Sequence, residues 1–418
     1  MIHDLRQGNM TLRVFFCISA AGFLFSLLWW LSGYGSVDAS VLDHESLFSD
    51  YYFHMALSSD PKHLYAISSE SLFPPLAYCF YWLLWRINAF SGLDPLDWHT
   101  LRATTNFTLV YVMRSIVIAL LLYLCVRKYL EKYREGTGLV MALMVLFSYP
   151  FFATSFQRGN SVLPLCIMLC IAFRWKDSES KVKRELALIL IAAAAAIKIY
   201  PAIAGFLYLY EKRYKEALRL LLYGIILFFG PFVFFGGLEG LKIFITKIIT
   251  KERGSSMPGW QSLRSLMFMI LPESISPPTM VRISFVVENL FLPASLWAAW
   301  ITKRQWERFL FLGIIMVCYV KINFMYTLVC LLPAFLMLLR ETREEKRPGW
   351  QALLGAVLFG IVFSLHSWML YVFADGMISG SYLVMYVCWV VLFAGVFTEK
   401  TIQRHARVTD GKTHDSVI

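Results

Sequence analysis

The chain has 418 residues, of which 58% are hydrophobic and 16% are charged, and its formal net charge is +11. A soluble protein of this size and composition would expose large apolar patches, so the composition excludes that class and indicates an integral membrane protein. Membrane orientation explains the basic excess, which therefore gives no reason to expect nucleic acid as a partner.

Several apolar stretches come close to the roughly 20 residues that cross about 30 Å of hydrocarbon as a helix. The first of them follows Arg6 and Arg13 and lacks a convincing small-residue cleavage site. It is therefore predicted to be a retained membrane helix, with the N-terminus in the cytoplasm. The clearest stretches are Leu12–Leu31, Phe107–Val126, Leu220–Phe235 and Gln351–Phe373.

Basic connections alternate with the apolar stretches and set the topology. Together with the N-terminal segment, they hold 26 of the 39 Lys and Arg residues. Because cytoplasmic connections are enriched in Lys and Arg, we expect about twelve membrane helices with both termini in the cytoplasm. A single membrane domain would cover residues 1–400 and a cytoplasmic tail residues 401–418. The connections are Arg127–Thr137, Arg174–Glu185, Glu211–Arg219, Thr302–Arg308, Arg340–Trp350 and the segment from Glu399.

Residues 33–106 form the first predicted outer loop, with eight acidic and three basic residues. The apolar segment Phe73–Phe90 lies within this loop. A crossing there would move the next basic connection to the outside, so the segment is predicted to be an interfacial helix in the headgroup layer. Its Pro74-Pro75 start, its Trp and Tyr residues and Arg86 fit that position.

Two further apolar segments, Leu186–Tyr210 and Phe309–Leu339, begin and end in basic connections but carry a lysine near the middle. Each is predicted to be a helical hairpin with that lysine, Lys198 or Lys321, at its tip. Broken helices are tolerated at membrane depth where they line a cavity. A second outer loop, residues 238–285, carries six basic and three acidic residues, so the outer side combines an acidic and a basic region.

A carboxylate beside a cationic, partly dehydrated cavity is the arrangement that a sugar transferase needs. The carboxylate takes the proton of the acceptor hydroxyl, and the cations stabilise the departing phosphate. The residue pattern alone does not choose among the acidic residues of the first outer loop. We expect no metal; Asp43 and Glu45 are the less favoured alternative, because Asp43-His44-Glu45 resembles a metal-binding DxE motif.

Several segments, taken in order, resemble GT-C glycosyltransferases that use polyprenyl-phosphate sugars. FSDYYFHMALSSDPKHLY (residues 48–65), followed by FPPLAYCFYWLL (73–84), is similar to the opening of such enzymes. YPFFATSFQRGNSVLPL (149–165) and AAAIKIYPAIAGFLYLYEKRYKEAL (194–218) resemble segments of glycosyltransferase family 87 and of the catalytic subunit of GPI mannosyltransferase I. A later motif of these proteins resembles the segment Gly259–Leu263.

The resemblance implies a GT-C fold and an inverting transfer in which Asp50 is the general base. His54 lies one helical turn after Asp50 and is a candidate contact for the carboxylate or the acceptor sugar. Lys198 is predicted to bind the donor phosphate, because a lysine at membrane depth is costly unless it is paired or faces a polar cavity. Further candidates are Arg158, Tyr200 and Arg264 for the donor phosphate, and Asn160 and Gln261 for sugar contacts.

Two other features concern charged or polar residues in predicted helices. Family members often carry a histidine shortly before the proline of a late helix, but Tyr326 and Thr327 occupy that region here, which puts a histidine-assisted role in doubt. Arg114 and Glu288 lie within predicted helices and could form a structural ion pair with each other.

The expected partners are a polyprenyl-phosphate sugar donor, a lipid-linked or cell-surface glycan acceptor and membrane lipids, with no cofactor. The transferred sugar is expected to be a hexose, with mannose favoured. The enzyme is expected in the cell membrane, with its active site on the outer face. Two alternatives stay open. A polytopic transporter or lipid flippase would also use broken hairpins and lysines at membrane depth. A glycan polymerase or ligase with pyrophosphate-linked donors would also carry a large basic outer loop.

Overall fold

The computed structural model describes residues 9–33, 48–88, 105–254, 262–272, 274–318, 325–345, 347–364, 369–373 and 376–414. Within these ranges the regular structure is helical except for one short pair of antiparallel strands, so the prediction of an all-α protein is confirmed.

Seventeen α-helices lie in the described part of the chain. In chain order they are α1 (Met10–Leu31), α2 (Ser49–Leu57), α3 (Leu64–Ile67), α4 (Pro75–Asn88), α5 (Thr105–Tyr129), α6 (Glu135–Phe147), α7 (Val162–Trp175), α8 (Lys181–Ile197), α9 (Phe206–Tyr210), α10 (Tyr214–Phe229), α11 (Gly237–Gly254), α12 (Leu263–Ile270), α13 (Pro277–Ile301), α14 (Gln305–Cys318), α15 (Leu332–Glu341), α16 (Trp350–Val362) and α17 (Gly380–His414). A π-helix at Phe152–Phe156 and 3₁₀ helices at Tyr200–Gly205, Gly230–Val233 and Met325–Leu331 interrupt this pattern.

Five helical stretches in the described residues are long and apolar enough to cross a membrane, and three shorter apolar helices accompany them. The protein is therefore a polytopic membrane protein. The number of twelve crossings and the domain limits stay predictions. The long stretches are Met10–Leu31, Thr108–Tyr129, Tyr214–Val233, Pro277–Ile301 and Gly380–Ile402, and the shorter helices are Gly136–Phe147, Val162–Trp175 and Trp350–Val362.

The prediction of one continuous helix over Gln351–Phe373 is wrong. Helix α16 ends well short of that length, and strands β1 (Met369–Phe373) and β2 (Gly376–Ser379) come before α17. Just after α16, the Ser364 carbonyl accepts a hydrogen bond from the Tyr149 amide at 2.9 Å. This bond to a distant segment gives the carbonyl a partner outside the helix, so the chain leaves the helical path there.

Ion pairs join four of the predicted cytoplasmic connections to one another. Because the paired residues are far apart in the sequence, these contacts place the connections at one end of the helices. We call this end, formed by residues 127–137, 174–185, 211–219 and 340–350, the basic end. The membrane side that it faces stays a prediction. The pairs include Arg174–Glu131 (2.6 Å), Lys176–Glu211 (2.5 Å) and Lys132–Glu344 (3.5 Å).

Helices α7 and α8 connect the basic end to the opposite end of the bundle. Helix α7 has 14 residues and begins two positions after Asn160. Helix α8 has 17 residues and ends directly before Lys198. At 1.5 Å per residue, these helices are about 21 Å and 26 Å long. Asn160 and Lys198 therefore both lie at the end remote from the basic end.

The first predicted hairpin lies within the described residues, and so do the two legs of the second. Helix α8 stops before Lys198, whose backbone is extended, and the 3₁₀ helix that contains Pro201 leads into α9. The chain has returned to the basic end by Glu211, which pairs with Lys176. In the second hairpin α14 packs against α15. Its tip, with Lys321, lies outside the described residues.

The segment Phe73–Phe90 contains α4, whose 14 residues measure about 21 Å along the helix axis. Its aromatic residues pack with α2 and α3 in a core that is separate from the main core of the bundle. Helix α11 is tied to this core, because Lys247 donates hydrogen bonds to the Ser68 carbonyl at 2.5 Å and to the Ser71 hydroxyl at 2.8 Å. The position of α4 in the headgroup layer stays a prediction.

Candidate active site

Asp50 lies in the first turn of α2 and accepts hydrogen bonds from two residues of one distant segment. The Arg158 guanidinium donates to Oδ1 at 3.1 Å, and the Asn160 amide donates to Oδ2 at 2.6 Å. The amide oxygen of Asn160 accepts from the Val162 backbone N–H at 2.9 Å, which fixes the orientation of the amide. Each oxygen of the carboxylate therefore has a defined partner.

Backbone hydrogen bonds hold these two segments together. The Phe48 amide donates to the Gln157 carbonyl at 2.8 Å, and the Tyr51 amide donates to the Arg158 carbonyl at 3.0 Å. Both donors lie at the start of α2, where the amides have no acceptor within the helix. The main chain therefore sets the position of Asp50 relative to Arg158.

Gly159 permits this close approach. Its φ of +70° lies in the left-handed region, and an added Cβ would lie 2.5 Å from the Tyr51 Cβ. Arg114 donates to the Gly159 carbonyl at 3.1 Å, and its guanidinium carbon lies 5.6 Å from the centroid of the Tyr51 ring. The π-helix Phe152–Phe156 comes directly before this segment; such wide turns often occur at functional sites.

Asp50 is ionised at neutral pH. Burial raises the pKa of its carboxyl, but the charge and hydrogen bond of Arg158, together with His54 and Asn160, outweigh burial and lower the pKa below its ordinary value. The side chains of Asp50 and Arg158 are still 16% and 26% exposed, so the pair is not sealed within the protein. A charged carboxylate with some access can receive a proton from a bound hydroxyl.

Lys198 follows the last residue of α8 and is only 6% exposed. Its Nζ lies 4.6 Å from the centroid of the Phe73 ring and 4.8 Å from that of the Tyr326 ring. Among the residues that the structure describes, no carboxylate lies at ion-pair distance from this ammonium group. Lys198 does interact electrostatically with Asp50 and Arg158. It is therefore a buried cation whose charge no described carboxylate neutralises by direct pairing.

His54 is buried one helical turn after Asp50, and both residues lie in α2. Its ring centroid lies 4.2 Å from that of Phe73, so one phenyl ring contacts both the imidazole and the Lys198 ammonium. Burial lowers the pKa of His54 to about 4; Asp50 opposes this shift and Lys198 adds to it. The imidazole is therefore neutral at pH 7.

Arg264 lies in a separate, closed ion pair. Its guanidinium contacts Glu288 at 2.8 Å, and each of the two side chains is 5% exposed. The prediction that Glu288 pairs with Arg114 is wrong, because Arg114 instead reaches the Gly159 carbonyl. The structure thus gives Arg264 a structural partner, and its role as a phosphate ligand stays a prediction.

Tyr200 does not contact the Asp50 carboxylate in the described structure. Its hydroxyl is buried, and it interacts electrostatically with Cys330 and Tyr326, so its role as a phosphate ligand stays a prediction. Among the described residues, no group of three or more His, Cys, Asp or Glu residues could hold a metal ion. The other predicted contacts, Gln261, Asp43 and Glu45, lie outside the described residues.

Three residues that help to build the site were not among the predicted site residues: Phe73, Tyr326 and Arg114. Phe73 begins the FPPL segment of the family resemblance, so that motif was a usable signal. A charge within an apolar stretch is a signal of function or pairing, and it marks Arg114. The comparison with the late family histidine marked the region of Tyr326, but it did not predict an aromatic ring beside Lys198.

The site combines one ionised carboxylate with nearby cations in surroundings of low polarity. Such an arrangement can remove a proton from a hydroxyl on one side and stabilise a departing anion on the other. A profile of glycosyltransferase family 87 matches residues 72–324, while a comparison with curated proteins gave no match. This match covers more than half of the chain, and the chain is a helical membrane protein, as the GT-C prediction requires. The chain therefore belongs to glycosyltransferase family 87, a family of membrane glycosyltransferases.

Proposed function

We propose that the protein transfers a hexose, with mannose favoured, from a polyprenyl-phosphate carrier to a lipid-linked or cell-surface glycan. The reaction would take place on the outer face of the cell membrane. One observation carries the proposal: the ionised Asp50 is held by Arg158 and Asn160, and Lys198 stands nearby without a carboxylate at ion-pair distance in the described residues. A buried cation of this kind favours a ligand that brings its own negative charge.

In the proposed reaction, an acceptor hydroxyl attacks the anomeric carbon of the donor sugar. Asp50 takes the hydroxyl proton while the new glycosidic bond forms. The bond between the anomeric carbon and the phosphate oxygen breaks, and polyprenyl phosphate leaves with the electron pair. This single displacement inverts the anomeric configuration.

Lys198 and Arg158 would stabilise the negative charge that develops on the phosphate. Arg158 suits this task because its guanidinium can donate to a phosphate oxygen and to Asp50 at the same time. Lys198 contributes a point charge held between two rings. Asn160 keeps its hydrogen bond to Asp50 and would orient the carboxylate toward the acceptor. Such fixed charges act without the cost of reorganising water.

The test compares purified wild type, Asp50→Asn and a control variant, Asp60→Asn. Asp60 is another acidic residue of the first predicted outer loop, but it is half exposed and pairs with the exposed His63 at 2.8 Å. The assay follows release of polyprenyl phosphate from radiolabelled polyprenyl-phosphate-mannose, with a lipid-glycan extract as acceptor and chelator present. We expect Asp50→Asn to lower kcat by about 10²- to 10⁴-fold, as loss of a general base does. Asp60→Asn should match wild type.

Two results would contradict the proposal. One is a folded Asp50→Asn protein that turns over at nearly the wild-type rate. The other is a wild-type protein that is inactive with all polyprenyl-phosphate sugars, and activity with a pyrophosphate-linked donor would then support a polymerase or ligase. The proposed reaction needs no metal, and wild-type activity that appears only when chelator is left out would overturn that part of the proposal.

A further inference from the structure

Lys247 of α11 binds the short segment between α3 and α4. Its ammonium group donates hydrogen bonds to the carbonyls of Tyr65 and Ser68, the second at 2.5 Å, and to the Ser71 hydroxyl at 2.8 Å. The Ser71 hydroxyl in turn donates to the Ser68 carbonyl at 2.7 Å. Carbonyls at the end of a helix have no donor within it, and an ammonium group makes strong, charge-assisted bonds to them. Lys247 therefore fixes the path of the chain after α3.

The segment that Lys247 holds leads directly to Phe73. Ser71 precedes Phe73 by two positions, and the Tyr65 hydroxyl donates to the Phe73 carbonyl at 3.0 Å. The Tyr65 ring also packs on Phe244 of α11, with 5.4 Å between the ring centroids. Two connected hydrogen bonds, from Lys247 to Tyr65 and from Tyr65 to Phe73, therefore join α11 to the backbone that carries the Phe73 ring.

The Phe73 ring is part of the candidate active site. Its centroid lies 4.6 Å from the Lys198 Nζ and 4.2 Å from the centroid of the His54 ring. The attraction between an ammonium group and a ring depends on the cation lying over the ring face, and it is strongest where water is excluded. Because Lys198 is buried, a displacement of the Phe73 ring would also displace the preferred position of the ammonium group.

We infer that Lys247 is a positioning residue of the transfer reaction, which holds Phe73 so that the Lys198 ammonium meets the departing phosphate. The inference rests on the proposed function. Lys247 acts through Phe73 and Lys198, without itself contacting the donor. Fixed charges stabilise a transition state only when they are aimed at the atoms on which charge develops, so a small displacement of Lys198 is costly. The second predicted outer loop, which contains α11, would thus contribute to catalysis from outside the site.

The first test compares Lys247→Met with Lys242→Met, a control on the same helix. The Lys242 side chain is 76% exposed and pairs with Glu239 at 3.9 Å, and such exposed pairs contribute little. The measurements are kcat and KM for polyprenyl-phosphate-mannose, together with thermal unfolding. We expect Lys247→Met to lower kcat about 10- to 100-fold, as a displaced catalytic group does, with a smaller change in KM. Lys242→Met should match wild type.

The second test repeats Lys247→Met in a Lys198→Met background. If Lys247 acts through Lys198, that background leaves no ammonium group to position, so Lys247→Met should lower kcat by less than about twofold there. A merely structural role would lower kcat by the same factor in both backgrounds. Tyr65→Phe removes the bond to the Phe73 carbonyl but keeps the ring. It should show the same dependence with a smaller loss, and it decides the question if Lys247→Met does not fold.

Three results would overturn the inference while turnover by wild type still supports the proposed reaction. In the first, Lys247→Met matches wild type, or Lys242→Met lowers kcat as much. In the second, the loss caused by Lys247→Met is the same in both backgrounds. In the third, Lys198→Met itself keeps the wild-type kcat, so that Lys198 has no role to be positioned for. A wild type that is inactive with every polyprenyl-phosphate sugar would instead remove the proposed function together with the inference.

Discussion

Buried lysines at the two ends of the helix bundle have different kinds of neighbours. At the basic end, the Lys176 side chain is 3% exposed and contacts two carboxylates, Glu211 at 2.5 Å and Asp177 at 2.7 Å. At the other end, Lys198 is comparably buried but faces two aromatic rings. The first lysine is neutralised by the protein itself, and the second is not neutralised by any described residue at ion-pair distance.

The same contrast holds for the arginines. Arg213 at the basic end pairs with Asp177, Glu211 and Glu216. Near Asp50, Arg114 donates to a backbone carbonyl, and Arg158 shares the one carboxylate that the described residues place beside it. Closed networks contribute stability and fix the connections. A cluster whose described residues include more cations than carboxylates, as near Asp50, is instead suited to an anionic ligand.

The largest effect is expected at Arg264, whose buried ion pair with Glu288 is a clear case of a charge that the protein itself neutralises. If Arg264 serves only its ion pair, Arg264→Met leaves Glu288 buried and unpaired and lowers the free energy of unfolding by about 3–5 kcal/mol. The double variant Arg264→Met/Glu288→Leu should recover most of that loss together with activity. Stability and transferase activity are measured for all three proteins. A stable but inactive double variant would instead place Arg264 among the phosphate ligands.

Lys198→Met should separate activity from stability. Removing a charge that stabilises a departing anion costs about 10²- to 10³-fold in kcat, by analogy with oxyanion donors. Thermal stability should be unchanged or higher, because a costly buried charge is gone. Lys176→Met is the matched control and should show the reverse: a loss of about 1.5–3 kcal/mol in the free energy of unfolding, with kcat retained by the folded fraction. If both variants lost stability alike, the contrast between the two ends would be false.

The smallest effect concerns His54 and pH. Its pKa of about 4 lies below the ordinary value of 6.5, so the folded state binds fewer protons than the unfolded state between these values. The contribution of neutral, buried His54 to the free energy of unfolding is therefore complete above pH 6.5 and is lost as the pH falls toward 4. We expect His54→Phe to flatten the decline of the unfolding midpoint across this range. The measurement is thermal unfolding of both proteins from pH 7 to pH 4, and parallel curves would contradict the assignment.

Local residue patterns predicted the elements that carry the site better than they predicted its contacts. The sequence Lys198-Ile199-Tyr200-Pro201 predicted the break after α8, because a lysine and a proline both oppose a continuous membrane helix. The resemblance identified Asp50 and the Arg158–Asn160 segment separately. It did not reveal that these segments bond to each other, since that contact depends on how α2 packs against a distant part of the chain.

Partner choice among charges could not be read from the sequence. Arg114 and Glu288 both lie in long apolar helices, and an ion pair between them would have offset the free-energy cost of burying the two charges. The fold instead brings α12 against α13, which gives Glu288 to Arg264. The end of α16 was missed for a similar reason, because the hydrogen bond between Ser364 and Tyr149 joins segments more than 200 positions apart.

The two backbone hydrogen bonds that join α2 to the segment before α7 have a consequence for how this enzyme can diversify. They depend on amides and carbonyls that every residue except proline supplies, so exchanges of neighbouring side chains other than Asp50, Arg158 and Asn160 leave the alignment of the two segments intact. Gly159 is the exception, since its left-handed backbone and the nearby Tyr51 Cβ exclude a larger residue. The neighbouring surface can therefore change to recognise new acceptors while the Asp50 carboxylate keeps its position.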